Sequence, residues 1–251
     1  MLIKKISKLL TGYKSDSPSL TIVGVGPGDP SLLTIAAVEA IKKAKVIVSP
    51  ISEDNKKSFA AEIVKKHTIF KKNITIIFPM AREGFDADEI WSNAAEKIIK
   101  FIQNGESVVL LCLGDTSLFA SSSNILRIIK HNYPEIITKT IPGISSVSAA
   151  AALNDFDLVK KGETLIIKEC PSSNSELTSL IRESRGNKTV LAIMKVGKRW
   201  ILVRDILKKE DIIHKSLIAL SVGMPDQIIQ YASKYKKDFM PYFSLILIRF
   251  D

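Results

Sequence analysis

Residues 21–30, TIVGVGPGDP, constrain the fold of this chain more than any other segment. A β-branched apolar run, typical of a strand, leads into a glycine-rich turn. The turn ends in Asp29 and Pro30, residue types that are favoured at the cap and at the first position of a helix. Proteins of the α/β class hold nucleotide-like ligands at such a strand–turn–helix junction. The segment therefore predicts an α/β fold with a ligand loop after its first strand.

The chemistry of this loop argues against a phosphate ligand. Gly24 and Gly26 fill the first two positions of the dinucleotide pattern G-x-G-x-x-G, but Asp29 replaces the third glycine. Its carboxylate stands at a helix N-terminus, where a pyrophosphate would bind. Neither an acidic residue about 20 positions later nor the Gly-Lys-Ser/Thr ending of a P-loop follows. The loop indicates a ligand that is not strongly anionic, and a NAD-type site and a purely structural turn remain the alternatives.

The charge balance points to an acidic partner. Of the 251 residues, 36 are Lys or Arg and 26 are Asp or Glu, which gives a net charge of +10. Such an excess favours nucleic acid, an anionic membrane or a small molecule with many acid groups, and charge alone does not choose among them. Hydrophobic residues make up 46% of the chain, enough for a sizeable core.

The cysteines and histidines predict neither a disulfide framework nor a metal site. Cys112 and Cys170 are far apart, and the three histidines share no ligand spacing. Isolated thiols of this kind fit a reducing cytoplasm. The apolar runs all fall short of the ~18 residues of a membrane span, so no membrane partner is expected.

Strand-like and helix-like runs alternate, which predicts two α/β domains. An extension over residues 1–18 precedes them, with a surface-binding helix or a targeting arm as alternatives for it. The domains are predicted at 19–142 and 143–251, because the pattern begins afresh after Pro142 and Gly143. Asp29 is predicted to cap one helix that continues through residue 44. The predicted strands cover 20–23, 46–48, 74–78, 108–113, 136–141, 164–167, 190–194, 217–221 and 242–250, and further helices cover 90–103, 144–153, 176–183 and 199–208.

Two later blocks, LGDTSLF at 113–119 and IPGISS at 141–146, join the first loop to form a recognisable set. Gly114 permits close backbone approach, and Asp115 follows a predicted strand, where ligands bind in open α/β sheets. Alone, Gly-Asp-Thr is a common turn. Together with GPGDP at 26–30, in this order and spacing, the blocks resemble the tetrapyrrole methylases. The resemblance extends from Leu20 to the end of the chain.

That family transfers methyl groups from S-adenosylmethionine to corrin and sirohaem precursors. The resemblance implies two α/β domains with mixed, largely parallel sheets, a cofactor cleft between them, a tetrapyrrole substrate and a homodimer. Residues 91–96, 194–198 and 241–245 are similar to the precorrin-2 C(20)-methyltransferase branch, which serves cobalamin biosynthesis. At 48–50 the chain reads VSP where sirohaem-type members usually carry Asp, and Thr116 replaces a usual proline. Another branch, including the uroporphyrinogen type, a same-fold RNA methyltransferase and a non-enzymatic regulator remain alternatives.

The resemblance also implies site residues. S-adenosylmethionine would be bound by Pro27, Leu113, Gly114, Asp115, Leu118, Ser145, Ser146, Met194 and Gly223. The acid groups of the tetrapyrrole would be contacted by Arg82, Lys195, Lys198 and Arg199. Core packing for Met194, helix capping for the serines and solvated surface roles for the basic residues remain alternatives. No catalytic base is assigned, and direct displacement from the sulfonium is expected.

Overall fold

The computed structural model describes residues 18–52, 57–78 and 87–250. Contacts between residues divide the chain into two compact units. The first contains the residues up to Gly24 and Thr34–Pro142, and the second contains Val25–Leu33 and the residues from Gly143 onward. Each unit has a five-stranded sheet, which confirms the mixed α/β fold class. Residues 25–33, named the first loop below, therefore pack with the second unit although they follow the first strand.

The sheet of the first unit is built from parallel strands in the order β3-β2-β4-β1-β5. These strands are β1 (Ser19–Gly24), β2 (Val46–Ile51), β3 (Lys72–Ile77), β4 (Val108–Cys112) and β5 (Ile137–Ile141). Central strand β4 is buried along its whole length, as expected of a parallel strand that is covered on both faces. Because neighbouring strands run the same way, the carboxyl ends of β1 and β4 meet at one edge of the sheet.

Helices of the first unit cover this sheet. They are α1 (Ile35–Lys43), α2 (Phe59–Ile63), α3 (Lys65–Thr68), α4 (Ala87–Gln103) and α5 (Ser122–Asn132). In α4, buried residues such as Trp91, Ala95, Ile98 and Ile102 recur at the spacing of one helical face. That face packs with α5 against the side of β1 that carries Leu20 and Ile22.

The helix predicted from Asp29 to residue 44 is wrong as a single element. Asp29 instead caps a short 3-10 turn, Pro30–Leu32, by accepting a hydrogen bond from the Ser31 amide at 2.7 Å. Leu33 and Thr34 are then extended, and the Thr34 hydroxyl accepts from the Ala37 amide at 3.1 Å to start α1. The second cap begins a separate helix, since the turn belongs to the second unit and α1 to the first.

The sheet of the second unit is mixed, with the order β6-β7-β10-β8-β9. Its strands are β6 (Thr164–Glu169), β7 (Thr189–Met194), β8 (Ser216–Leu220), β9 (Ile228–Tyr231) and β10 (Ser244–Ile248). β6 and β7 are parallel, whereas β10 is antiparallel to both β7 and β8, and β9 is antiparallel to β8. The last strand therefore inserts between two earlier strands.

Helices cover both faces of this sheet and enclose two apolar clusters. The helices are α6 (Ser146–Ala152), α7 (Asn174–Arg185) and α8 (Trp200–Lys209). Trp200, fully buried, lies in the cluster under α7 and α8, and its indole Nε1 donates to the Lys237 carbonyl at 2.9 Å. On the opposite face, Val147 of α6 packs with Ala219 and Leu245. Among the described residues, no helix is long and apolar enough to cross a membrane.

Candidate functional site

The loop after β4, residues 113–119, carries four of the candidate cofactor residues in the first unit. Gly114 adopts φ +75°, a conformation that favours glycine and lets the chain turn directly after the strand. The Asp115 carboxylate accepts hydrogen bonds from the Ser117 amide at 2.8 Å and from the Ser117 hydroxyl. Leu113, Gly114, Asp115 and Leu118 are all partly exposed. The loop thus holds a carboxylate at the carboxyl edge of the parallel sheet.

Cys112 forms the base of this β4 loop. Its thiol lies 3.7 Å from the carbonyl oxygens of Leu113 and Asp115 and is buried. Burial raises the pKa of the Cys112 thiol, and the negative charge of Asp115 adds to the effect. A neutral thiol that packs beneath the loop matches the role of a small buried hydrophobe.

The first loop carries Pro27 and Asp29 in the second unit. Pro27 is buried, and Gly26 before it adopts φ +77°. The backbone amide of Ser31, and then its hydroxyl, lower the pKa of the Asp29 carboxyl. Because that carboxylate caps the 3-10 turn, an anion at the same N-terminus would meet a negative charge. This agrees with the expectation that the loop does not serve a phosphate.

The first loop meets the loop between β8 and β9, residues 221–227, through two glycines. Gly28 is so close to Gly223 that a Cβ atom added to Gly28 would lie 2.6 Å from the Gly223 carbonyl carbon. Gly223 adopts φ +76°, and its amide donates to the Gln227 side-chain oxygen at 2.7 Å. The amide of Gly223 is therefore already paired within its own loop.

Ser145, Ser146 and Met194 also lie in the second unit. The Ser145 hydroxyl accepts from the Ser148 amide at 3.1 Å and caps α6, and Ser146 is the first residue of that helix. Met194 ends β7 opposite Leu245 of β10 and packs against the cluster that contains Val147. The capping and packing roles that sequence left open are thus present in the structure for Ser145 and Met194.

The basic candidates follow β7. Lys195 adopts φ +58°, which is uncommon for a residue with a side chain, and its ammonium pairs with the Glu169 carboxylate. Arg199 donates to the Cys170 carbonyl at 2.5 Å, and Lys198 is exposed. Arg82 lies outside the described residues. Lys195 therefore pairs with the last residue of β6, and Arg199 pairs with the residue that follows that strand.

The structure groups the candidates by unit. Leu113, Gly114, Asp115 and Leu118 share the β4 loop, whereas the other described candidates lie in the second unit, at Pro27, Ser145, Ser146, Met194, Lys195, Lys198, Arg199 and Gly223. The sequence analysis did not predict two residues of this region. Gly28 packs the first loop against Gly223, and the Gln227 side chain accepts a hydrogen bond from the Gly223 amide within the β8–β9 loop. A second glycine two positions after Gly26 was the available signal for Gly28. No three His, Cys, Asp or Glu side chains group to hold a metal ion within the described residues.

Residues 19–234 match the family model of the Tetrapyrrole (Corrin/Porphyrin) Methylases. The chain belongs to the tetrapyrrole methylase family. The matched span includes the first loop, the β4 loop and every described candidate residue. The resemblance predicted from the three sequence blocks is thus confirmed, and the methylase is an enzyme of the methyltransferase class.

Named relatives add detail to this assignment. The methylase is 37% identical over 145 residues to a probable cobalt-precorrin-2 C(20)-methyltransferase of Methanocaldococcus jannaschii, an alignment that covers 58% of this chain and 61% of that protein. It is 24% identical over 232 residues to the cobalt-precorrin-2 C(20)-methyltransferase of Salmonella typhimurium, covering 91% and 95% of the two chains.

A solved structure shares the fold. The X-ray structure of a cobalt precorrin-4 methyltransferase, a cobalamin biosynthetic enzyme, superimposes with a TM-score of 0.70 at 19% identity. The match covers 92% of the methylase and 94% of that chain. At this identity the likeness concerns the fold.

Proposed function

We propose that this methylase transfers a methyl group from S-adenosylmethionine to the C(20) meso carbon of precorrin-2 or cobalt-precorrin-2. The reaction belongs to cobalamin biosynthesis, within the wider group of porphyrin pathways. The alignment to the Salmonella typhimurium protein of that name, nearly end to end in both chains, carries the proposal. The shorter but closer match to the Methanocaldococcus jannaschii protein supports it.

The charges of the two loops support S-adenosylmethionine as the methyl donor. This molecule carries a sulfonium and an ammonium balanced by one carboxylate, and the loops present Asp29 and Asp115 without the lysine of a phosphate loop. In the proposal, Leu113, Gly114, Asp115 and Leu118 hold it from the β4 loop. Pro27, Ser145, Ser146 and Met194 are proposed as further contacts, as the family resemblance implies. When bound, the donor would supply an electrophilic methyl group and leave as S-adenosylhomocysteine, and the proton lost from C(20) would pass to water.

The contribution of the protein is positioning. Holding two reacting atoms about 3–3.5 Å apart can lower the barrier by roughly 7–11 kcal/mol, without any covalent intermediate on the enzyme. Exclusion of water assists a transfer in which the positive charge of the donor is lost. The Asp29 and Asp115 carboxylates each accept a hydrogen bond from a backbone amide two residues later, at Ser31 and Ser117. We therefore propose no catalytic base from these loops.

The substrate carries eight carboxylates, and the net charge of +10 suits it. Lys195, Lys198, Arg199 and Arg82 are the proposed contacts. Lys195 and Arg199 are held in place by Glu169 and by the Cys170 carbonyl, which orders their side chains before a substrate binds. Lys198 is exposed and lies between them in sequence. Pre-ordering of this kind lowers the entropic cost of binding an acidic ligand.

The direct test is a product analysis. The full chain is incubated separately with precorrin-2 and with its cobalt form, together with S-adenosylmethionine labelled in its methyl carbon. We expect one labelled methyl group at C(20) in at least one product, located by carbon NMR. Label at another ring carbon would identify another branch of the family. In a parallel incubation with ribosomal RNA, transfer of the label to the RNA would replace the proposal. Binding of S-adenosylmethionine without methyl transfer to any of these substrates would indicate a regulator.

We also propose that the methylase is a homodimer. The side of β1 and β5 that carries Ser19, Thr21 and Lys139 borders a groove of about 930 Å³ beside α1. Next to it, Ile35 is 79% exposed and Ile137 is 42% exposed. Parallel sheets are ordinarily covered on both faces, so a second copy seated on this face would complete the arrangement.

Substitution on this face provides a test. Ala36 lines the groove and is exposed, and Lys43, Lys45 and Lys139 line it as well. Ala36→Arg adds bulk and like charge, so we expect it to weaken self-association at least about tenfold, as like charges at interfaces cost several kcal/mol. Sedimentation equilibrium measures the dissociation constant of the dimer. The matched control is Ser179→Arg, at an exposed position of α7. Unchanged self-association of Ala36→Arg would exclude this face, and a monomeric wild type would exclude the dimer.

A cytoplasmic location completes the proposal. Cys112 and Cys170, the two cysteines of the chain, are both unpaired and buried. Free thiols persist in reducing compartments, whereas oxidising ones favour disulfides.

A further inference from the structure

The contact between Gly28 and Gly223 leaves no room for a side chain on either residue. A Cβ atom on Gly28 would lie 2.6 Å from the Gly223 carbonyl carbon, 2.7 Å from the Val222 oxygen and 2.8 Å from Met224 Cγ. A Cβ atom on Gly223 would lie 2.6 Å from the Asp29 amide nitrogen. Ordinary van der Waals contacts begin near 3.4 Å. The backbones of the two loops therefore touch directly.

The β8–β9 loop is held firmly on its side of this contact. Ser221, at φ +47°, is buried and donates from its hydroxyl to the Asp226 carboxylate at 3.0 Å. The Met224 amide donates to the Ser221 carbonyl at 2.9 Å, and the Gly223 amide donates to Gln227. A residue held in this conformation costs free energy and persists where its surroundings enforce it. The loop is thus closed by hydrogen bonds among its own residues.

The first loop is fixed at a second point beyond the contact. Leu32, at the end of the 3-10 turn, packs against the apolar cluster that contains Val222 and Ala219. Between Gly28 and Leu32, the Asp29 cap closes the turn. Pro27 and Asp29 flank Gly28 directly, so their positions are set by how closely Gly28 approaches Gly223.

We infer that Gly28 and Gly223 are positioning residues that fix the first loop for binding of the methyl donor. This inference rests on the proposed function. It gives Gly28 a positioning role that the sequence analysis did not assign. It also changes the role of Gly223 from a contact with the cofactor to packing against the first loop. The Gly223 amide is paired with Gln227, which agrees with a packing role. A loop that is already held in its binding conformation costs less free energy to order when a ligand binds, so opening of this contact is expected to weaken binding of the donor.

Single alanine substitutions test the inference. Gly28→Ala and Gly223→Ala each force the loops apart, and we expect at least about tenfold weaker binding of S-adenosylhomocysteine by calorimetry, because a loop that must be reordered on binding loses affinity. The KM for S-adenosylmethionine should rise more than kcat falls. Amide hydrogen exchange in residues 25–33 should accelerate in the free protein. The matched control is Gly186→Ala, since a Cβ there meets nothing closer than 3.9 Å.

A second variant tests the inference if the two alanine variants do not fold. Gln227→Leu removes the partner of the Gly223 amide without adding a clash, and a several-fold loss of affinity with faster exchange in residues 25–33 is expected. Unchanged exchange and unchanged affinity in folded Gly28→Ala or in Gln227→Leu would overturn the inference. If the wild type ignores S-adenosylhomocysteine, the proposed function fails, and the role in donor binding fails with it. The exchange data would then still report whether the glycine contact holds the loop.

Discussion

Asp115→Ala is expected to weaken binding of S-adenosylmethionine by about 10- to 150-fold. A hydrogen bond to a charged group contributes about 1.5–3 kcal/mol, which is the free energy that corresponds to this change. The fold should largely persist, because Asp115 is partly exposed and its hydrogen bonds to Ser117 lie within one turn. Calorimetry with S-adenosylmethionine, in the absence of a tetrapyrrole, measures the affinity, and urea unfolding measures the stability.

Two matched variants separate the charge of Asp115 from its turn. Asp115→Asn keeps an oxygen that accepts from the Ser117 amide but removes the negative charge. Ser117→Ala keeps the charge but removes the hydroxyl donor. We expect Asp115→Asn to lose most of the affinity and Ser117→Ala to lose little. If Asp115→Ala binds as tightly as the wild type, the assignment of the β4 loop is wrong. If Asp115→Asn binds normally while Asp115→Ala does not, the carboxylate serves the turn alone.

Trp200→Ala is expected to lower the free energy of unfolding by about 3–5 kcal/mol, more than Trp200→Phe or Ile201→Ala. The side chain is fully buried, contacts the Tyr235 ring edge-on with centroids 5.7 Å apart, and donates to the Lys237 carbonyl. Its removal leaves a cavity and an unpaired carbonyl together. Such a loss is a large part of the 5–15 kcal/mol by which proteins of this kind are stable. Equilibrium urea unfolding followed by circular dichroism measures it.

Controls for Trp200 are adjacent in the chain. Trp200→Phe keeps much of the apolar volume but lacks the indole donor, so an intermediate loss is expected. Ile201, the next residue, is 47% exposed, and Ile201→Ala should change the stability by about 0.5 kcal/mol or less. Equal losses for Trp200→Ala and Ile201→Ala would contradict the central place of Trp200 in the second unit.

Much of the secondary structure was predictable from local patterns. The strands around residues 20–23, 108–113 and 190–194 were found because apolar β-branched runs mark buried strands. The spacing of Ile125, Leu126 and Ile129 is typical of an amphipathic helix, so α5 was predictable as well, although it was not predicted. Strand β9 was missed for a different reason. It is four residues long and forms because Leu217–Leu220 offers it a partner.

The sequence by itself determined the family, the two acidic loops and most strands, because these depend on residue types at fixed short spacings. Tertiary structure alone decided that β10 inserts between β7 and β8 and that the first loop packs with the second unit. It alone revealed that Gly28 touches Gly223. These features join residues far apart in the chain, and their free energy comes from close packing summed over many atoms. The periodicity of a sequence indicates which nearby residues share a face of a helix or strand. It does not indicate which distant part of the chain will pack against that face.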